Sequence, residues 1–442
     1  MQKLMNDANI ILQAAIDSVK PHRLIEKNVK IADDILIVNN RRFDLRDVAH
    51  IYVIGMGKAS AVMANKLEDR LGNRITGGQV IVKYGHGEKC KRISIREAGH
   101  PVLDENGLRA TEELLEIAQK AGENDLVICL ISGGGSALFE KLPAGISLTD
   151  LRKTVEMLLA CGASIEEINA VRKHLSEVKG GRLAKAIAPA KCLGVIISDV
   201  IGDPLDAIAS GPTAPDTTTF ADAWKVLKKY DLRTGLPESI IRHLQTGMQN
   251  PRHETIKPGD PVFKNVHHFI LGNNFIALTA AEAAANALRD YQTIILTGKM
   301  QGEAREAARV IAAIAEEVIA SGRPLGRPAC LIFGGETTVT LRGNGKGGRN
   351  QEFALAALLA LSHLQENYLL LSCGTDGTDG PTDAAGAFAS PKIWKIAKEK
   401  GVNPAEFLAE NDAYHFFEQT GGLIKTGPTG TNVMDIGIVL IP

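Results

Sequence analysis

The chain has 442 residues, 45% of them hydrophobic and 23% charged, which is ordinary globular composition with room for two or three domains. Fifty Lys and Arg balance 51 Asp and Glu to a formal charge of -1, so nothing draws the whole molecule to nucleic acid or an anionic membrane. Together these figures exclude a disordered, fibrous or disulfide-stapled chain.

The pattern along the chain alternates strand-like and helix-like segments. An opening helix runs to Pro21, and IADDILIVNNRRFDL reads as a short strand and turn. HIYVIGMGKASAVMANKLEDRLG reads as strand, glycine turn and helix, and GGQVIVKYG and RISIREAGHP add strands. TEELLEIAQKA then leads to DLVICLISGGGSAL, and KCLGVIISDVIGD repeats the strand-to-loop step. Residues 246–262 are polar with several prolines and make the best linker candidate. The second half repeats the logic from VHHFILGNN onward, with ACLIFGGETTVTLRG expected as two strands around a glycine turn. The fold class expected is α/β: two lobes, each a sheet flanked by helices, the N-terminal lobe Rossmann-like and the C-terminal one smaller, with the active-site cleft between them. The domains expected are 1–250 and 260–442, with the end of the chain packing back on the first.

Six cysteines without a CxxC pair, mostly in apolar runs, read as reduced core thiols. No secretory signal and no apolar run of spanning length is visible, so a cytoplasmic location is expected.

Glycine is the compositional outlier, at 44 residues, and it clusters at strand ends. GMGKAS, residues 55–60, has Gly55 and Gly57 of a dinucleotide fingerprint but Ser60 in the third place, and it also fails as a P-loop. It still offers backbone N–H groups and Lys58 to an anion. SGGGS, residues 132–136, offers Gly133, Gly134, Gly135 and Ser136 as a phosphate nest. In NAVRKHLSEVKGGRLA, Arg172, Lys179 and Arg182 share roughly one helical face, which suits either an anion or plain solvation; His174 reads as structural. The segment SDVIGDPLDAIASGPTAPD, residues 198–216, carries Asp199, Asp203, Asp206 and Asp216, a loose magnesium site or a polar turn. GNGKGGRNQE, residues 343–352, is the strongest physical signal: Gly345, Lys346 and Gly347 make a flexible cationic loop for a polyanion, and Arg349 can clamp a carboxylate or a phosphoryl group. GTDGTDGPTDAAG brings Asp376, Asp379 and Asp383 into one loop, able to hold magnesium or take a proton from a hydroxyl. Cationic glycine loops and an acidic loop in one chain suggest phosphoryl transfer.

IGMGKAS, AGHPVLDENG, ISGGGSAL, INAVRKHLSEVKGGRLA, SDVIGDPLDAIASGPT, LGNN, GGETTVT, GKGGRNQE and SCGTDGTDGPTDAAGA occur here in an order that resembles the glycerate 2-kinase family, the type with a C-terminal MOFRL domain. The resemblance covers about residues 50–435. It implies transfer of the ATP γ-phosphoryl group to the 2-hydroxyl of D-glycerate, with Mg2+ or another divalent cation. It implies catalytic roles for Lys58, Arg349 and Asp376, with phosphate or substrate contacts from Gly133, Gly134, Gly135 and Ser136; the cationic glycine loop adds Gly345, Lys346 and Gly347 as expected nucleotide contacts. Asp199 and Asp379 are the metal ligands expected, and a homodimer is the assembly expected. The alternatives are an NAD(P)-dependent hydroxypyruvate reductase and a non-enzymatic sugar-acid sensor; no DNA-binding or signalling module is visible to support the latter.

Overall fold

The computed structural model describes residues 1–442. They form two α/β lobes, each a sheet flanked by helices: Leu24–Leu271 is one compact unit, and Met1–Arg23 with Gly272–Pro442 is the other. The chain therefore divides at Leu271, rather than between 250 and 260, and it assigns its first helix to the C-terminal unit. The reason is burial. Helix Gln2–Ser18 hides Leu4, Ala8, Ile11, Leu12, Ala15 and Ile16 along one face, and it packs on helix Asn274–Ala287. Tyr291 donates to Asp7 at 2.6 Å and Thr431 to the Val19 carbonyl at 2.7 Å. The polar stretch 246–262 is no linker. Thr255 and Ile256 are buried, Ile256 N–H donates to Gly180 O at 2.9 Å, and Thr255 Oγ1 donates to Asp216 at 2.9 Å.

In the N-terminal unit, β1 (Val29–Ala32), β2 (Ile35–Val38) and β3 (Arg41–Asp44) form a small antiparallel meander. The main sheet is built from β4 (Ile51–Met56), β5 (Ile75–Lys83), β6 (Ile93–Ala98), β7 (Leu126–Ile131), β8 (Lys191–Ile197) and β9 (Val266–Gly272), in the order β6-β5-β4-β7-β8-β9. β6, β5, β4, β7 and β8 pair in parallel. Every residue of β7, LVICLI, is buried, as expected of a parallel strand covered on both faces. The chain runs outward from β4 to β6 and then returns to the other side of β4 with β7. The loops after β4 and β7 therefore flank the point where strand order reverses, where open α/β sheets gather ligands.

Helices Leu148–Ala160, Ile165–His174, Phe220–Lys229 and Glu238–Gln249 build a second core around Leu158, Phe220, Leu227 and Leu244. Ser147, Ser164 and Thr219 start three of them with capping boxes. The cationic segment 169–184 is not one helix. Gly180 and Gly181, at φ 56° and 79°, turn the chain into a second helix, Arg182–Ile187. Lys179 is fully buried on Glu140 at 2.6 Å, so no solvated basic face exists there. His174 is structural: Nδ1 lies 2.7 Å from Ala170 O and the ring packs edge-on against Phe220.

In the C-terminal unit, β10 (Gln292–Met300), β11 (Ala329–Gly335), β12 (Leu369–Gly374), β13 (Gly386–Ala389), β14 (Leu423–Ile424) and β15 (Asp435–Ile441) follow the order β10-β11-β15-β12-β13-β14. The end of the chain is thus a central strand of this sheet, antiparallel to both β11 and β12. TTVTLR is not the second strand of a hairpin. β10 and β15 already occupy both sides of β11, so only Thr338 bridges, to Glu303. All six cysteines are free thiols, four of them buried. No helix is long and apolar enough to cross a membrane.

His268 on β9 lies against Gly194, with Nε2 2.9 Å from Thr213 Oγ1. Burial pulls its pKa down to about 4. An unfolded ring takes its proton near 6.5. Between those values the unfolded chain binds more protons, so stability is full above pH 6.5 and falls as the pH drops toward 4. Urea titrations from pH 7 to 4.5 should lose up to about 3 kcal/mol through this group. His268→Gln should flatten that slope; an equally steep slope in the variant would assign the acid sensitivity elsewhere.

Candidate active site

Two clusters of the expected residues form, one on each unit. In the N-terminal unit the turn after β4 meets the turn after β7. Gly57 has φ 123°, and a Cβ there would sit 2.3 Å from Ser132 O, so only glycine lets the two turns touch. Lys58 N–H donates to Gly133 O at 2.9 Å and Ala59 N–H to Ser132 Oγ at 3.0 Å. Ser60, in the place of a third glycine, is fully buried, and its hydroxyl lies 3.3 Å from both Leu130 O and Ser132 Oγ.

Gly134, at φ 82°, lies between His100 and Lys58: a Cβ built on it would stand 2.7 Å from His100 Nε2 and 3.4 Å from Lys58 Cε. The Asp199 carboxylate, just beyond β8, lies against Gly133, where a Cβ would collide with it at 2.0 Å. Burial, reinforced by Lys58 and Lys83, holds His100 down to about 4, so this ring is neutral near pH 7. Lys58, Gly133, Gly134, Gly135 and Asp199 are thus gathered at the carboxyl ends of β4, β7 and β8. Ser136 turns its hydroxyl toward Ser210, 2.7 Å away. A cavity of about 910 Å³ in this unit lies elsewhere, against Arg182, Arg242 and Arg252, and none of these expected residues lines it.

In the C-terminal unit the register does the gathering. Gly335 at the end of β11 and Gly374 at the end of β12 both pair with Asp435, the first residue of β15. Glu336, Asp376 and Asp435 therefore collect at one edge of the sheet. Arg349 opens helix Arg349–Ala360 beside them. Its Nε and Nη2 grip Asp435 at 2.6 and 3.1 Å, and its Nη1 donates to Glu336 at 2.8 Å. Burial alone would weaken the guanidinium's hold on its proton, but Asp435 and Glu336 outweigh it and keep Arg349 charged. Burial pushes the Asp435 carboxyl up to about 6, against the pull of Arg349. One N–H on each Nη remains for a ligand.

A cavity of about 590 Å³ opens there, lined by Arg349, Asp376, Gly345, Gly347, Gly348 and Thr378 among others. Asp376 holds itself in place by accepting from Thr378 N–H and Oγ1, each at 3.0 Å, through one oxygen. Asp379 does different work. Its oxygens accept from Asn350 and Gln351 backbone N–H at 3.1 and 2.8 Å, and from their side-chain amides at 3.4 and 3.0 Å. Four donors occupy its lone pairs, so it caps the helix and has none left for a metal ion. Lys346 does not line the cavity; its ammonium lies over the Tyr414 ring at 4.3 Å. Its loop is fastened rather than free: Gly345 N–H donates to Glu410 O, Lys346 N–H to Asp412, and Tyr414 N–H to Lys346 O. Nowhere do three or more His, Cys, Asp or Glu side chains cluster as a metal site.

The family profile described as a domain of unknown function (DUF4147) matches residues 7–245, and that of the MOFRL family matches residues 329–435. The chain is 46% identical to the glycerate 2-kinase of Pyrococcus horikoshii, over 97% of this chain and 95% of that one. It is equally identical to the D-glycerate 2-kinase of Thermotoga maritima, over 88% of this chain and 90% of that one. The chain belongs to the glycerate kinase family. A crystal structure of the glycerate kinase from Thermotoga maritima superposes over the whole of both chains with a TM-score of 0.87 at 42% identity. A crystal structure of a protein from Pyrococcus horikoshii superposes with a TM-score of 0.85 at 44% identity, covering 99% of this chain and 98% of that one. A relative from Agrobacterium vitis, 42% identical over 95% of this chain and 93% of its own length, carries a provisional hydroxypyruvate reductase name.

In this glycerate kinase family member, sequence reasoning missed Asp435, Glu336 and His100. Asp435 had a signal: it is the one carboxylate in the apolar run NVMDIGIVLIP. Glu336 and His100 lie inside the family-like segments GGETTVT and AGHPVLDENG, but nothing in their neighbours announces Arg349 or Lys58.

Proposed function

We propose that this chain is a glycerate 2-kinase that moves the γ-phosphoryl group of ATP to the 2-hydroxyl of D-glycerate, giving 2-phosphoglycerate and ADP. The observation that carries this reading is the 46% identity to the Pyrococcus horikoshii glycerate 2-kinase over 97% of the chain. The geometry agrees with the chemistry. Phosphoryl transfer asks a protein for positioning and charge neutralisation more than for covalent help. Lys58 and the N–H groups of Gly133 and Gly134 offer donors to phosphate oxygens, the Gly135 N–H being held by Ser132 O at 3.3 Å. The two outward N–H groups of Arg349 offer a fixed clamp for charge that builds on the transferring group. Asp376, with one oxygen tied to Thr378, has the other for the acceptor hydroxyl proton.

The donors present fit magnesium carried in on ATP, which takes one or two carboxylates with the rest from phosphate and water. Asp199, against Gly133, is the residue that would hold it. When bound, magnesium supplies charge at the phosphate oxygens. Free thiols throughout fit a cytoplasmic enzyme.

The rival reading is NAD(P)-dependent reduction of hydroxypyruvate. Against it stands Ser60, buried and hydrogen-bonded in the place where dinucleotide sites carry their third glycine for close helix packing. The deciding experiment is a coupled ADP-release assay with D-glycerate, ATP and magnesium, followed by phosphorus NMR of the product. ADP release with phosphorus on the 2-oxygen is expected. Phosphorus on the 3-oxygen would overturn the regiochemistry. Hydroxypyruvate-dependent loss of nicotinamide absorbance without any ADP release would replace the kinase by the reductase.

A further inference from the structure

The N-terminal unit contains a half-buried positive charge without an ion-pair partner. Arg172 lies on helix Ile165–His174, three residues after Asn169. Its Nη2 donates to the Ser136 carbonyl at 2.9 Å, its Nε is buried with no hydrogen-bond partner, and the side chain forms no ion pair. The nearby carboxylate, Glu140, is already engaged: its Oε2 accepts from Lys179 Nζ at 2.6 Å and its Oε1 from Lys141 N–H at 3.1 Å. Arg172 and Lys179 thus set two positive charges against one buried carboxylate. Burial pulls the Arg172 guanidinium below its ordinary value, with Glu140 only partly opposing. An unpaired charge partly withdrawn from water, with its Nε unsatisfied, is costly, and an anion would complete the set.

Neutral hydrogen-bonding groups collect at the same corner. The Ser136 and Ser210 hydroxyls are 2.7 Å apart, and Ser210 Oγ lies 3.3 Å from Asn169 Oδ1, which leaves the Asn169 amide NH2 for another acceptor. Two residues, at most about 7 Å of chain, separate Ser136 from Gly134, where Lys58 and His100 converge. A three-carbon acid is short enough to fit that interval, with its carboxylate at one end and its hydroxyls toward Lys58.

We propose that Arg172, with Asn169, Ser136 and Ser210, binds the carboxylate of the acceptor acid. This assignment rests on the kinase reading above and names the group that recognises its substrate. A nucleotide phosphate is the other oxyanion that could fill the corner, and the test separates the two.

The test compares wild type with Arg172→Lys and with Ser136→Ala, which keeps the carbonyl that holds Arg172. For Arg172→Lys, kcat/KM for D-glycerate is expected to fall between about ten- and a hundred-fold, the range for a charge-assisted bidentate contact reduced to a point charge, while the KM for ATP stays the same. Ser136→Ala should lose less, in the same direction. D-glycerate should raise the unfolding temperature of wild type but not of Arg172→Lys, whereas ADP should raise both. A raised KM for ATP, with D-glycerate protection intact, would overturn the assignment in favour of phosphate. Loss of protection by both ligands would overturn it in favour of a purely structural arginine. A wild type that releases no ADP from D-glycerate would remove the kinase reading and this one with it. An active wild type with unaffected variants would remove this one alone.

Discussion

Arg349→Ala should lower kcat by about a hundred- to a thousand-fold, the loss typical of removing a preorganised donor to transition-state charge. The clamp is rigid before any ligand arrives, since Asp435 holds Nε and Nη2 and Glu336 holds Nη1. Little reorganisation is then needed as charge builds. Arg349→Lys retains the charge but cannot hold Asp435 in two places, so it should recover only part of the loss. The KM for ATP should change far less than kcat if the contact strengthens in the transition state. The variant must also be shown to fold, because Asp435 is left buried without its partner; burial already raises this carboxyl against the pull of Arg349, so without Arg349 it rises further and can take up a proton. Near-normal turnover by folded Arg349→Ala would sink the assignment.

The largest effect on stability is expected at Glu140. Its carboxylate is buried, as is the Lys179 ammonium it meets at 2.6 Å, and Lys179 also donates to Phe139 O at 2.7 Å. Burial pulls Lys179 down to about 8, with Glu140 opposing. Removing one member of a buried pair leaves the other uncompensated, which costs about 3–5 kcal/mol. Glu140→Gln should therefore cost an amount of this order in a urea titration at pH 7. Pairing it with Lys179→Met should recover much of the loss, because the orphaned charge is removed. A loss under about 1 kcal/mol for the single variant would place the pair among contacts that contribute nothing measurable.

Arg349 and Lys179 differ in how visible they are in the sequence. Arg349 stood out because four glycines and two cations in a short loop have few structural uses. Lys179 was read in a string with Arg172 and Arg182, as though one helix continued to 184. The break at Gly180 and Gly181 sends Lys179 inward to Glu140, 39 residues away in sequence. Asp379 shows the same limit. Beside Asp376 in the same acidic loop it has the same local chemistry, yet four donors from the start of helix Arg349–Ala360 occupy it. Lys346 was as promising as Arg349 by position, but its loop is anchored on Glu410–Tyr414 and its ammonium rests on an aromatic ring.

The sequence by itself determined the α/β class, the alternation of strands and helices, and the glycine turns that end β4 and β7. These follow from periodicity and backbone freedom, which act over a few residues. It also carried the family through the order of its motifs. Only the tertiary structure decided that the first helix joins the C-terminal unit, that the last strand lies at the centre of its sheet, and that Asp435 meets Arg349. Each of those depends on which distant surfaces bury one another and on register between strands far apart in the chain. Local pattern sets which residues turn inward, but the partner each one meets is settled by packing.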